Sequence, residues 1–367
     1  MQILNDNDGM ALALELAARG MYSTAPNPRV GCVIVRGGEV IGMGHTQPAG
    51  QAHAEIMAMR DAQERGHDVR GATAYVTLEP CNHHGRTPPC SDALVRAGLG
   101  RVVAAITDPN PLVAGQGMAR LAAAGIEASS GLLADQAYEL NIGFFSRMQR
   151  KRPWVRMKSA ASLDGMTALH SGESQWITGP EARADGHAWR ARACAILTGI
   201  GTVKADDPQL NVRAVDTPRQ PRRIVVDSKL EISLDAKVLS GGGTWIVAAV
   251  GNAGKEAALA AAGNEVILLP NAEGKVDLQA LMLELGRREI NELHVEAGSK
   301  LNGSLIREGC VDELLVYIAP CLIGDAQGMF ALAAPERLAA KITLKFHEVR
   351  QVGEDLRILA RFTPPQE

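Results

Sequence analysis

His53-Ala54-Glu55 and, further on, Pro80-Cys81-Asn82-His83-His84-Gly85-Arg86-Thr87-Pro88-Pro89-Cys90 are the stretches from which the rest of this chain is read. One imidazole and two thiolates suit zinc, and three protein ligands leave a fourth position open, as a catalytic zinc requires. Each part alone is weak. His-x-Glu is a common tripeptide, and eight residues between two cysteines match no four-ligand zinc-finger spacing. Placement gives them meaning: His53 and Glu55 open one expected helix, about Ala54 to Glu64, and Cys81 and Cys90 lie at or before the next, about Cys90 to Ala97. Helix N-termini stabilise thiolates. Zinc brings the pKa of water to about 7, and a carboxylate outside the ligand set then moves the protons. Glu55 is that candidate.

Outward from this stretch, Met10 to Arg19 reads as a helix with Asp8 as its N-cap and Gly20 as its stop. Val30 to Val35 and Val40 to Gly44 are strand-like and flank Gly37-Gly38, a dipeptide suited to a tight hairpin. Helical stretches at Gly117 to Ala124 and Ala134 to Met148 interleave with strands at Ala74 to Leu78 and Val102 to Ile106. The basic, proline-ended run Arg147, Arg150, Lys151, Arg152, Pro153 breaks this rhythm, so residues 1–150 and 151–367 are read as separate domains. Beyond it, strands at Trp154 to Ala161, Ala195 to Thr198, Arg223 to Val226, Trp245 to Val250, Glu265 to Leu269 and Glu292 to Val295 alternate with helices at Glu181 to Arg192, Lys255 to Ala262, Asp277 to Arg288 and Lys300 to Glu308. Such alternation predicts an α/β fold with a mostly parallel sheet. Leu314 to Ile318, Thr343 to Val349 and Leu356 to Phe362 lack full helices between them and predict an antiparallel edge.

The composition narrows the function classes. The 367 residues are 46% hydrophobic and 22% charged, enough for full-sized cores. With 38 Lys and Arg against 41 Asp and Glu, no basic field is available for nucleic acid or an anionic membrane. The longest charge-free run, Val238 to Gly254, has 17 residues and five glycines, a poor membrane span. MQILNDND resembles no export signal, so the expected setting is cytoplasmic with reduced thiols, and Cys32, Cys194, Cys310 and Cys321 read as buried small hydrophobes. The expected partner is a small molecule, and a homo-oligomer is allowed.

His-x-Glu followed by Pro-Cys and a second Cys resembles the zinc deaminases of nucleobases, in which the Glu is the acid/base. Their two cysteines stand two residues apart, whereas here the interval is eight. That insert, with Pro26-Asn27-Pro28-Arg29-Val30-Gly31, Leu78-Glu79 and Asp108-Pro109-Asn110-Pro111, resembles the deaminase half of the bifunctional riboflavin-biosynthesis deaminase/reductases. The resemblance continues through Lys158, Ser162-Leu163-Asp164-Gly165, Ser171 to Thr178, Ala205 to Leu210, Val226-Asp227-Ser228 and Val295-Glu296-Ala297-Gly298, and so covers nearly the whole chain. The last of these reads Val-Glu-Gly-Gly in many members; here Ala297 replaces a glycine.

The resemblance implies a cytidine-deaminase-like domain followed by a dihydrofolate-reductase-like domain. It implies hydrolytic deamination of a diaminopyrimidinone bearing a phosphoribosylamino group, then NADPH-dependent reduction of ribosyl to ribityl. His53, Cys81 and Cys90 match the zinc ligands and Glu55 the proton shuttle; Asn27, His45, His83, Arg86 and Asn110 match positions that hold the ribose phosphate and ring. For NADPH it implies Ala160, Trp176, Thr202, Asp206, Ser228 and the turn Gly298-Ser299-Lys300-Leu301-Asn302-Gly303-Ser304, and for the second substrate Ser174, Arg190, Leu210, Arg213 and Glu296.

The residues themselves leave several of these open. Arg86 is either a phosphate donor or a surface arginine. Trp176 and Trp189 are either core or, for Trp176, a cofactor contact. Gly199-Ile200-Gly201 lacks the third glycine of a dinucleotide fingerprint, while Gly298 to Ser304 follows a strand and opens a helix, which aims N–H groups at an anion. Eight Lys and Arg against four Asp and Glu between Arg183 and Arg223 suit a phosphorylated substrate or a solvated face. Lys158 and Asp206 are the proton-donor candidates, Glu296 a residue to orient sugar hydroxyls, and Asp206 is alternatively a turn cap. His67, His170, His187, His294 and His347 have no metal-spaced partner and are read as structural. Two other classes compete: a nucleic-acid or free-nucleoside deaminase, which lacks its basic and aromatic stripe here, and a binding protein with structural zinc, which would not need Glu55.

Overall fold

Alternate residues of a strand face opposite sides, and in the first half of the chain both sides are apolar, which calls for helices on both faces. The computed structural model describes residues 1–82, 88–111 and 114–363 and divides into two compact units, Met1–Lys151 and Arg152–Glu367. The first contains α1 (Asp6–Arg19), β1 (Gly31–Arg36), β2 (Glu39–His45), α2 (Ala54–Glu64), β3 (Thr73–Val76), α3 (Cys90–Ala97), β4 (Arg101–Ala104), α4 (Gln116–Ala123), β5 (Glu127–Ser130), α5 (Ala134–Leu140) and α6 (Ile142–Arg150). Its sheet order is β2-β1-β3-β4-β5, with β1 antiparallel to both neighbours and the rest parallel. Cys32, Ile34, Ala74, Val76, Val102 and Ala104 pack with residues of α2, α3 and α4 on one face; Val33, Val35, Tyr75, Val103 and Ala105 pack with α1 and α5 on the other.

Helix α2 lies directly on β2. A Cβ on Gly44 would stand 2.4 Å from the Ala58 nitrogen and one on Gly42 2.3 Å from the Ala58 oxygen, so glycine at both positions lets the helix approach. Buried Glu79, just after β3, accepts the backbone N–H groups of Asp108 at 3.1 Å, Gly115 at 2.9 Å, Gly117 at 2.9 Å and Met118 at 3.2 Å. The start of α4 is thereby capped by the segment that carries Cys81.

The second unit contains β6 (Trp154–Ser162), β7 (Met166–Ala168), α7 (Pro180–Arg192), β8 (Ala195–Gly199), α8 (Ile200–Asp206), β9 (Arg222–Val226), β10 (Trp245–Ala248), α9 (Ala253–Ala261), β11 (Glu265–Leu268), α10 (Leu278–Arg287), β12 (Glu292–Val295), α11 (Ser299–Arg307), β13 (Glu313–Ala319), β14 (Gln327–Gly328), β15 (Leu344–Val352) and β16 (Asp355–Phe362). The nine-stranded sheet runs β11-β10-β9-β8-β12-β6-β13-β16-β15; it is parallel up to β13 and antiparallel beyond, and β7 pairs with β14 apart from it. No helix among the described residues is long and apolar enough to cross a membrane.

The α/β reading and most expected elements agree with this architecture. Several details differ. Helix α1 starts earlier, because Asn5 rather than Asp8 is its N-cap and accepts the Asp8 N–H at 3.0 Å. The expected helix from Ala134 to Met148 breaks at Asn141, whose side chain instead clasps the Arg29 backbone, accepting its N–H and donating to its carbonyl, both at 2.8 Å. Strand β5 and helix α8 were not expected: β5 is largely exposed and polar, and α8 is only seven residues long. Cys321 is exposed and Cys194 half-buried, against the expectation that both are core; all six thiols are unpaired.

Arg156 of β6 is buried between Glu292 of β12, at 3.0 Å, and Glu313 of β13. Arg192 and Arg361 complete the network at 2.7 Å and 2.9 Å, and the Arg156 guanidinium lies 4.4 Å from the Trp189 ring centre. Burial pushes Glu313 up, but Arg156 and Arg361 hold it below its ordinary range. Its contribution to stability is therefore present above the unfolded carboxyl pKa of about 4.3 and lost as pH falls through the lower folded value. Arg156→Met leaves the buried carboxylates of Glu292 and Glu313 to Arg192 and Arg361 alone and is expected to cost about 3–5 kcal/mol at neutral pH, read by denaturant unfolding of the full chain. A loss under about 1 kcal/mol would show that the carboxylates are satisfied without Arg156.

Candidate active sites

Two helix starts bring the first site together. His53 is the N-cap residue of α2, Cys90 the first residue of α3, and Cys81 lies just beyond β3. The Cys90 and Cys81 sulfurs stand 3.3 Å and 3.6 Å from His53 Nδ1, and the three donor atoms lie within 4.8 Å of one another. The Cys90 N–H donates to the Cys81 sulfur at 3.4 Å, and Ser91 holds the loop by donating its N–H to the Cys81 carbonyl and its hydroxyl to Asn82. One nitrogen and two sulfurs converging with a side left open fit a catalytic zinc. The two thiols influence each other most: Cys81 is pushed down to about 4 while Cys90 is pushed up, as expected of neighbours that share one proton.

Glu55 stands outside the donor group and is only 4% exposed. Burial, then the Cys81 charge, pushes its carboxyl up to about 7. Asn27, His45 and Asn110 are half-buried; burial, then Arg19, pushes His45 down. His83 and Arg86 lie outside the described residues. A cleft of about 740 Å3 between α2 and α3 is lined by His53, Cys90, Met57, Arg60 and Arg96.

The second site lies at the carboxyl edge of the parallel sheet, where α/β folds gather ligands. Val295, the last residue of β12, pairs with Met157, so Lys158 is in mid β6 rather than at its end, yet just beyond the end of β12. Glu296 is the next residue of the chain there. Arg190 of α7 grips its carboxylate with Nε and Nη2, the latter at 2.8 Å, and donates Nη1 to the Asn211 carbonyl at 3.1 Å. Buried His294 places Nε2 3.2 Å from the same carboxylate. Burial alone would raise Glu296, but Arg190 holds it well below the usual range; burial pushes Lys158 down.

Nearby, the starts of α8 and α11 adjoin: a Cβ on Gly298 would lie 3.7 Å from Thr202 Oγ1, and Leu301 packs on Gly199. Ala297 takes no positive φ, so its replacement of glycine is accommodated. At the α11 start Lys300 is exposed and Ser299 half-buried, whereas Asn302 and Gly303 are buried, Asn302 donating to the Ala297 carbonyl at 3.0 Å. The Ser304 hydroxyl donates to the Lys300 carbonyl. Ser228, after β9, accepts the Val276 N–H at 3.1 Å, and Ala160 packs in the cluster with Tyr317 and Trp189.

Trp176 is not core: it is 66% exposed, with the Arg183 guanidinium 4.5 Å from its ring centre. Ser174 is half-buried, Leu210 is buried with φ 48°, and Arg213 is exposed. Asp206 ends α8, exposed, with partial burial pushing its carboxyl up. The capping role goes to Asp207, which takes φ 41° and accepts the Lys237 N–H at 2.8 Å.

Sequence reading missed the roles of Glu79, set by the distant segment 108–118, and of Ser91, set by the fold of the Cys81 loop back onto α3. It set aside His187 and His294, although His187 stands three residues before Arg190 on one helix, a spacing that shares a face.

Comparison with known proteins bears on both units. The family model described as "Cytidine and deoxycytidylate deaminase zinc-binding region" matches residues 4–106, and that described as "RibD C-terminal domain" matches residues 153–358. The chain is 48% identical to "Riboflavin biosynthesis protein RibD" of Escherichia coli, covering 96% of this chain and 98% of that one. Acinetobacter baumannii RibD (form 1) superposes with TM-score 0.89 at 43% identity, covering 98% of this chain and 99% of that one. A Thermotoga maritima diaminohydroxyphosphoribosylaminopyrimidine deaminase/5-amino-6-(5-phosphoribosylamino)uracil reductase superposes with TM-score 0.87 at 31% identity, with the same coverage. With a zinc-type donor set in one unit and a ligand-gathering sheet edge in the other, the chain belongs to the RibD family of bifunctional riboflavin-biosynthesis deaminase/reductases.

Proposed function

We propose that residues 1–150 deaminate a diaminopyrimidinone bearing a phosphoribosylamino group and residues 151–367 then reduce its ribosyl group to ribityl. The observation that carries this reading is the convergence of His53, Cys81 and Cys90 beside buried Glu55. Unpaired thiols fit a reducing, cytoplasmic setting.

Zinc held by the three donors supplies a Lewis acid that activates water at neutral pH. Glu55 accepts a proton from the attacking water on a carboxylate oxygen and passes it to the ring nitrogen, then takes the proton of the added hydroxyl and delivers it to the departing amino nitrogen. The C–N bond breaks, ammonia leaves, and a carbonyl replaces it. A carboxyl whose pKa lies near the working pH serves both directions. Asn27, His45 and Asn110, together with His83 and Arg86, are assigned to ring and ribose phosphate.

Thr202, Ser228 and the Gly298 to Ser304 turn, with Ala160, Trp176 and Asp206, would hold NADPH, which would supply the hydride. The N-terminus of α11, after N-cap Gly298, suits its phosphates. Lys158 or Asp206 donates the proton that balances hydride addition at the opened sugar carbon. Glu296, held by Arg190, orients the sugar hydroxyls, with Ser174, Leu210 and Arg213 completing the contacts.

Glu55→Gln is expected to keep zinc and fold while ammonia release falls at least about 100-fold. Zinc lost with the carboxylate would make Glu55 a ligand. Cys81→Ser or Cys90→Ser is expected to lower zinc content sharply, because a hydroxyl is a poorer ligand than a thiolate; unchanged metal would remove that cysteine from the set. For the second unit, Asp206→Asn is expected to cut NADPH oxidation about 100-fold and leave unfolding and ammonia release unchanged. Normal oxidation would leave Lys158 as the donor.

A further inference from the structure

Among the described residues His187 joins no hydrogen-bond or ion-pair network. Its side chain is buried at 9% exposure, and its Nδ1 is sealed from solvent with no hydrogen-bond partner. With no acceptor at Nδ1, the neutral ring carries its hydrogen on Nε2, the nitrogen that is not sealed. His187 precedes Arg190 by three residues on α7 and shares its face. The charges that act on it come from Arg190, Arg213, Glu296 and Lys158, carried by α7, the segment after α8, the end of β12 and β6. Three cations and one carboxylate make this a net positive place, and the carboxylate is already held by both arms of Arg190. Burial, then these cations, pushes His187 down to about 4, so at neutral pH it is an uncharged ring with one N–H to give.

We infer that His187 is a substrate-positioning residue of the reductase site, giving its Nε2–H to a phosphate oxygen of the sugar phosphate between Arg190 and Arg213. This rests on the reductase reading of the second unit. A neutral donor adds direction to the arginines' charge without deepening the positive field that burial already opposes.

The test uses the full zinc-loaded chain with the deaminated, phosphorylated pyrimidine and NADPH, comparing wild type with His187→Ala and His187→Gln. Alanine is expected to raise the substrate KM about tenfold, with the NADPH KM and ammonia release within about twofold of wild type. Glutamine, which restores an N–H donor, is expected to recover most of that loss. With the same pyrimidine lacking its phosphate, wild type and alanine variant should have matching KM values. His187→Leu, which fills the space without a donor, reads the same loss if alanine folds poorly. An unchanged substrate KM, equal rises in both KM values, or a glutamine variant as impaired as alanine would overturn the inference. A wild-type chain that does not oxidise NADPH would instead fail the reductase reading, and this inference with it.

Discussion

The first site depends on how closely a helix can lie on a strand. Because Gly42 and Gly44 present no side chains, α2 rests on β2 at backbone distance, and its first residues are carried to where Cys81 leaves β3 and Cys90 begins α3. A bulkier strand would lift His53 away from both sulfurs and expose Glu55, whose burial is what keeps a proton within reach at neutral pH. Glu79 then fixes the opposite wall by tying the cysteine-bearing segment to the start of α4.

In the second unit one strand serves both stability and chemistry. Arg156 and Lys158 lie two residues apart on β6 and so point to the same face. Arg156 faces carboxylates inside β12 and β13 and is consumed by them, whereas Lys158 stands where β12 has ended and its acidic neighbour, Glu296, is already held by Arg190. The register of β12 against β6 thus separates a structural ion pair from a half-buried amine available to a ligand.

Period-two and helical patterns made the α/β fold readable, along with the ends of α2 and α3, because those elements bury one face against a sheet. The metal donors were readable too, since ligand type and helix-start placement are local properties. What escaped was set by distant partners. Asn141 breaks a helix because Arg29 arrives more than a hundred residues from it in sequence. Glu79 looks like one more acidic residue until four backbone N–H groups, from a loop and the start of α4, meet it. Asp206 and Asp207 are indistinguishable in a turn sequence, and only the chain path decides that Asp207 caps. Residue type alone would put Trp176 in the core, whereas its surrounding motif marks it as a cofactor contact, and it is exposed.

The most direct measurement follows ammonia and NADPH together as the full zinc-loaded chain acts on the diaminopyrimidinone ribosylamine phosphate. The expected result is ammonia release that proceeds without NADPH and, once NADPH is added, one cofactor oxidised for each ammonia released. NADPH oxidised with no ammonia, or ammonia released with no later oxidation, would contradict a chain that carries both activities in that order.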